Sequence, residues 1–212
     1  AACGISLFIH GLAKKLLLAD GCALLVPMAF DAPAPGLLAA WTGVLAYTMQ
    51  IYFDFSGYSD MAVGLGMLLG FTFPQNFHSP YRAISITDFW RRWHISLSNW
   101  LRDYLYIPLG GSRIAPSRTY VNLFITMLLG GLWHGANWTF LIWGGYHGLL
   151  LAFERMGGKG MPNALPLVLR RTITLVLVMI GWVFFRAPSL DAAGSVFAGM
   201  AGLYGVGVLN SF

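Results

Sequence analysis

Residues 119–153 read TYVNLFITMLLGGLWHGANWTFLIWGGYHGLLLAF, 35 positions without an Asp, Glu, Lys or Arg. A helix needs about 20 mostly apolar residues to cross a bilayer core about 30 Å thick. The stretch is too long for one crossing, and Gly130, Gly131 and residues 135–137 supply a natural break. Two apolar helices joined by a turn are expected, with His134 beside the turn.

The flanks repeat the theme. Residues 16–30 are apolar apart from Asp20 and end in a turn at 31–35; residues 37–53 carry no charge. Residues 61–73 are short and Gly-rich, which suits a re-entrant or part-buried helix. Residues 172–185, entered from Leu165, and residues 192–209, cut by Gly199, Gly202, Gly205 and Gly207, complete roughly six or seven hydrophobic elements. The fold class that follows is all-α, a polytopic membrane helical bundle. Composition agrees: 57% of the 212 residues are hydrophobic and 10% charged, against about 45–50% and about 25% in soluble domains. Mean hydropathy is +0.66. A disordered chain, a coiled coil, a collagen-like repeat and an ordinary cytosolic enzyme are excluded. Cys3 and Cys22 have no metal-site spacing. The start at Ala1 and the end inside an uncharged run read as a fragment of a longer polytopic protein.

Charge is concentrated. The net charge is +5, and residues 82–118, with Arg82, Arg91, Arg92, Arg102, Arg113 and Arg118 against Asp88 and Asp103, hold +4 of it. No Lys/Arg run resembles a nucleic-acid arm; a basic membrane-surface segment facing lipid headgroups or an anionic substrate is the simpler reading. Within it, Trp90, Trp93, Leu97, Trp100, Leu101 and Tyr104 recur every three or four residues. Residues 88–107 therefore read as one amphipathic helix, capped by Thr87 and stopped by Pro108, Leu109, Gly110 and Gly111. It either lies in the membrane interface or packs on the bundle as a loop helix.

Ionisable side chains inside membrane segments are costly and mark function. An imidazole with a pKa near 6.5 suits His134 to general acid–base work; hydrogen bonding between helices is the alternative. His147 lies 13 residues on, about 20 Å along a continuous helix, and reads as a second-site or structural residue. His94, at the edge of the apolar face, either meets a substrate at the membrane surface or sits half wet. Asp54 and Asp60 each need an Arg, His or hydroxyl partner and read as ties between helices more readily than as orienters of a base. Lys14, Lys15 and Asp20 read as interfacial anchors.

Three motifs then become specific in combination. They are YFDFSGYSD at 52–60; FWRRWHISLS at 89–98 with Trp100, Arg102, Asp103, Tyr104 and the PLGG of 108–111; and Trp133, His134, Gly135. With GLAKK at 11–15, Ala19, Asp20 and WGGYHG at 143–148, they resemble the membrane-bound O-acyltransferase family, most closely its bacterial alginate O-acetyltransferase branch. The resemblance runs from about residue 10 to residue 186. It implies one membrane-embedded domain over residues 1–212, incomplete at the N-terminus, built around a buried central cavity. It implies His134 as catalytic base and His94 as the second motif histidine near the cavity mouth. Asp54 and His147 match further polar positions, Arg91, Arg92 and Arg102 suit docking of an acyl thioester's phosphates, and Asn137 is a candidate oxyanion donor. No bound cofactor and no metal are implied; the donor is acyl-CoA or another acyl thioester. Implied partners are membrane lipids and a periplasmic acetyltransferase that completes transfer to an exopolysaccharide such as alginate, with the chain in the bacterial inner membrane and no role for nucleic acid. A D-alanyl or peptidoglycan-modifying branch of the family, and a non-catalytic subunit of a polysaccharide export system, are the alternatives.

Overall fold

The computed structural model describes residues 2–157 and 165–207, and their regular structure is helical throughout. In chain order the α-helices are α1 (Ala2–Ala13), α2 (Asp20–Ala23), α3 (Pro27–Phe30), α4 (Leu37–Leu68), α5 (Ile86–Trp90), α6 (Ile95–Leu101), α7 (Pro116–His134), α8 (Trp138–Met156), α9 (Leu167–Arg186) and α10 (Leu190–Met200). A π-helical stretch, Lys14–Ala19, joins α1 to α2, and another, Arg102–Tyr106, follows α6. Two helical runs among the described residues are long and apolar enough to cross a membrane, Ala2–Phe30 and Leu167–Arg186. The element expected over residues 192–209 is shorter: α10 stops at Met200 and residues 201–207 follow as turns, with the last two expected positions outside the described residues.

The chain divides into two compact units, Ala1–Gln75 with Arg186–Phe212, and Asn76–Phe185. In the first, α1 packs on α4 through glycines seven residues apart on each helix. A Cβ on Gly4 would stand 2.7 Å from the Gly64 carbonyl oxygen, and one on Gly11 2.4 Å from that of Gly57. Only hydrogen fits there, so the backbones touch. The contact is then tied by charge: Lys14 Nζ lies 2.5 Å from Asp60, and Lys15 Nζ lies 2.8 Å from Asp54 and 2.7 Å from Asp20.

Two expectations are corrected in this unit. Residues 37–53 and 61–73 are not two elements, because α4 runs unbroken from Leu37 to Leu68 through the 52–60 motif. The partners of Asp54 and Asp60 are lysines rather than Arg, His or hydroxyl groups. Lys14, Lys15 and Asp20, expected as interfacial anchors, are joined in these part-exposed ion pairs. A carboxylate inside an apolar helix is tolerated when a cation from the neighbouring helix meets it.

In the second unit α7 and α8 form the expected hairpin, broken at Gly135–Asn137 as the sequence indicates. Glycines again set the approach: a Cβ on Gly144 would sit 2.4 Å from the Met127 carbonyl oxygen, and one on Gly131 2.3 Å from that of Phe140. The expected single helix over 88–107 is not formed. Backbone N–H groups of Arg92 and Trp93 both close on the Phe89 carbonyl at 2.9 Å, and His94 adopts φ +44°, so α5 ends and α6 restarts at Ile95. The cap of α5 is Ser85, which accepts from the Asp88 N–H, rather than Thr87. Thr87 is held instead by Glu154 of α8, whose carboxylate accepts from the N–H groups of Ile86 (3.1 Å) and Thr87 (2.7 Å) and from the Thr87 hydroxyl. The break redirects the apolar face: Trp93 and Leu101 are buried, but Trp100 and Tyr104 are exposed.

The core of this unit is aromatic. Phe89, Trp93, Trp143 and Trp182 are almost wholly buried. Trp93 stacks on Phe89 with ring centres 5.6 Å apart, and Trp182 lies 4.9 Å from Trp93. Offset and edge-on ring pairs of this kind contribute about 0.5–1.5 kcal/mol each beyond area burial.

Candidate active site

His94 is fixed by Asn76. The Asn76 carbonyl oxygen receives the Ile95 N–H at 3.0 Å, and its side-chain Oδ1 receives the Ser96 N–H at 3.2 Å and the Ser96 hydroxyl at 3.0 Å. The same Oδ1 lies 3.2 Å from His94 Nδ1. A backbone N–H can only donate, so the Asn76 atom is the oxygen and His94 Nδ1 must carry the proton. That tautomer leaves the lone pair on Nε2. The left-handed backbone at His94 costs about 1–2 kcal/mol, which the Asn76 clasp offsets. Burial pushes the imidazole down to about 4, with a positive charge on His134 as the lesser cause. At neutral pH His94 is therefore an uncharged acceptor.

His134 is the last residue of α7. Aromatic rings surround it: Trp133 and Phe185 at 5.0 Å, Trp143 at 5.3 Å and Phe140 at 6.3 Å, the first three close to edge-on. The ring walls fix its plane, and it is only half-buried. The charge felt at His94 places the two histidines in one electrostatic environment.

Two openings lie in this unit; His94 lines one of them and His134 neither. A groove of about 650 Å³ is lined by His94, Ser96, Leu97, Trp100, Tyr104 and Trp133, among others. It is apolar apart from its histidine end. A second cavity, of about 410 Å³, is lined by Arg91, Arg102 and Arg155 together with Thr87, Ser98 and Asn99.

The remaining sequence-derived residues separate. Arg91 and Arg102 share the second cavity, with Arg102 also bonded to its exposed neighbour Asp103 at 2.7 and 3.1 Å. Arg92 is absent from that wall; its guanidinium donates to Asp88 at 2.8 Å and to the His78 carbonyl at 3.3 Å. Asn137 caps α8, with Oδ1 accepting from the Thr139 N–H at 3.2 Å. His147 is wholly buried, stacked on Phe89 and edge-on to Trp90 and Trp143, with neither ring nitrogen bonded among the described residues. A Cβ on Gly181 would stand 2.7 Å from its Nε2. Asp54 belongs to the other unit and is paired with Lys15.

Sequence reasoning missed Asn76, Glu154 and Arg155. The last two are the first charges after the uncharged run, and that position was the available signal. Asn76 had none.

Comparison with known proteins bears on this arrangement directly. The profile of the membrane-bound O-acyltransferase family matches residues 30–196, which include every histidine and arginine just described. The chain belongs to the membrane-bound O-acyltransferase family. It is 56% identical over 200 residues to a probable alginate O-acetylase of Pseudomonas aeruginosa, covering 93% of this chain and 38% of that protein. It is 46% identical over 213 residues to a peptidoglycan O-acetyltransferase of Helicobacter pylori, covering 99% of this chain and 40% of that one. A teichoic acid D-alanyltransferase of Bacillus subtilis is 35% identical over 155 residues, 66% of this chain and 39% of the relative. The chain thus spans about two fifths of the length of these relatives.

Proposed function

We propose that this chain carries the acyl-transfer centre of a multi-pass O-acyltransferase of the bacterial inner membrane, which moves an acetyl group from a thioester donor towards a hydroxyl acceptor for O-acetylation of an exopolysaccharide such as alginate. The observation that carries the reading is His134: a half-buried imidazole at the end of an uncharged helix, walled by aromatic rings, in a chain 56% identical to a probable alginate O-acetylase.

His134 takes the proton of the acceptor hydroxyl as its oxygen attacks the thioester carbonyl. The C–O bond forms, the C–S bond breaks, and the proton passes from His134 to the departing thiolate. Base assistance of this kind is worth about 10²–10⁴-fold in rate. His94, neutral with its lone pair on Nε2, orients a hydroxyl or water entering the apolar groove. The groove's rings keep bulk water from the thioester. Asn137 remains the candidate oxyanion donor, while His147 serves the packing beside the site and Asp54 ties α4 to Lys15. The domain works as a membrane bundle around a central cavity, in lipid, with a periplasmic acetyltransferase taking the acyl group onward. Transfer to peptidoglycan is the second reading, favoured by a match to the peptidoglycan O-acetyltransferase that covers 99% of this chain.

The test is His134→Ala in the natural polypeptide, at matched membrane expression, with O-acetyl content of exopolysaccharide and of peptidoglycan read in parallel. Loss of ester from the exopolysaccharide with normal polymer export is expected. Loss from peptidoglycan alone selects the second reading. Unchanged ester removes His134 as the base, and loss of the polymer itself points to an export subunit.

A further inference from the structure

The 410 Å³ cavity gathers three cations on one wall. Arg91 comes from the turn after α5, Arg102 from the end of α6 and Arg155 from the last turn of α8, and all three line the same space. No carboxylate among the described residues lines it. The acids nearby in sequence are already engaged: Glu154 holds the start of α5, Asp88 pairs with Arg92, and Asp103 pairs with Arg102 on its exposed side. The side chains of Arg91 and Arg155 have no hydrogen bond and no ion pair among the described residues. Ser98, Asn99 and Thr87 add neutral polar groups to the wall.

Arg102 is already paired with Asp103, but Arg91 and Arg155 are not, and an anion shared between guanidinium groups on one wall relieves their mutual repulsion. Their planar donors match the oxygens of a phosphate ester better than those of any other common biological anion. We propose that Arg91, Arg102 and Arg155 form a phosphate-ester site, filled by a phospholipid headgroup or by the phosphate of a water-soluble thioester carrier. Only the second occupant rests on the function proposed above; the anion site stands without it. Glu154, the neighbour of Arg155, ties α8 to the start of α5, and neither His94 nor His134 lines the cavity, so it is an anchoring point and not a reacting one.

The experiment uses the natural full-length polypeptide in phosphatidylcholine nanodiscs. Coenzyme A, which has no acyl group to transfer, is titrated calorimetrically, and phosphatidylglycerol retention is followed by native mass spectrometry. Arg155→Gln and Arg91→Gln are each expected to weaken binding of one of these two probes by roughly tenfold or more, the scale of one charge-assisted hydrogen bond. Arg155→Lys should recover part of the loss, and Arg118→Gln, outside the cavity wall, should change neither probe. A response confined to coenzyme A assigns the soluble carrier; one confined to phosphatidylglycerol assigns the lipid. If neither probe responds to either substitution, or if Arg118→Gln weakens binding equally, the site is overturned. His134→Ala should leave both affinities unchanged, so failure of the catalytic reading and failure of this one are told apart.

Discussion

The two helical hairpins of this chain use the same device for packing and opposite devices for charge. Both α1 against α4 and α7 against α8 bring backbones into contact over glycine. In the first, every cation at the contact meets a carboxylate: Lys14 with Asp60, Lys15 with Asp54 and Asp20. In the second, Glu154 of α8 holds the start of α5, but its neighbour Arg155 has no acid paired to it among the described residues, and His134 is surrounded by rings. Mutually neutralised charge holds a structure together. Charge without an internal counterpart is available to a ligand.

The sharpest way to break this contrast is to exchange roles. His134→Ala should lower acyl transfer per folded protein by about 10²–10⁴-fold, whereas Asp54→Asn should leave the rate per folded protein within a few-fold. Equal losses would mean that Asp54 takes part in the chemistry. Next in size, Gly57→Leu forces a side chain into the Gly11 carbonyl, 2.6 Å from where its Cβ would lie. A cost of about 3 kcal/mol is expected, seen as loss of the protein from membranes by immunoblot. Gly194→Ala, whose Cβ would meet nothing within 4 Å, is the matched control and should accumulate normally.

A third prediction concerns pH. His94 is held near 4 in the folded chain and returns to about 6.5 when unfolded. The unfolded state therefore binds the extra proton between those values, so stability is fully present above pH 6.5 and falls as pH drops towards 4. Thermal melting in detergent should show that decline, and His94→Gln should flatten its one-proton component. A His94→Gln curve parallel to the parent would remove the assignment. Smaller again, Glu154→Gln should cost about 1–2 kcal/mol, the range of a lost helix cap, with the melting temperature as readout. Smallest is Lys15→Met: its partners are half exposed, and such pairs are worth about 0–1 kcal/mol.

Local signals in the sequence carried the helical class and the α7–α8 break, because Gly135 and Asn137 act within a few residues of themselves. They also carried the family, through motifs short enough to read in line. The single helix expected over 88–107 failed for a physical reason: period-3.6 spacing describes a face and says nothing about Asn76, 18 residues upstream, which supports the left-handed turn at His94. The pairing of Lys14 with Asp60 across 46 positions was invisible for the same reason. Arg92 looked as available as Arg91, and only the location of Asp88 and the His78 carbonyl separates them.

One atom of Asn76 has a consequence of its own. Its Oδ1 gathers the Ser96 N–H, the Ser96 hydroxyl and His94 Nδ1, while its amide nitrogen keeps the residue electrically silent. Exchange of that nitrogen for oxygen, whether by spontaneous deamidation or by a one-base codon change to Asp, preserves the shape of the clasp and adds a full negative charge beside the imidazole. The opposite charge favours the imidazolium. The protonation state of His94 is thus written in a neighbour that has none, and an ageing reaction on that neighbour can rewrite it.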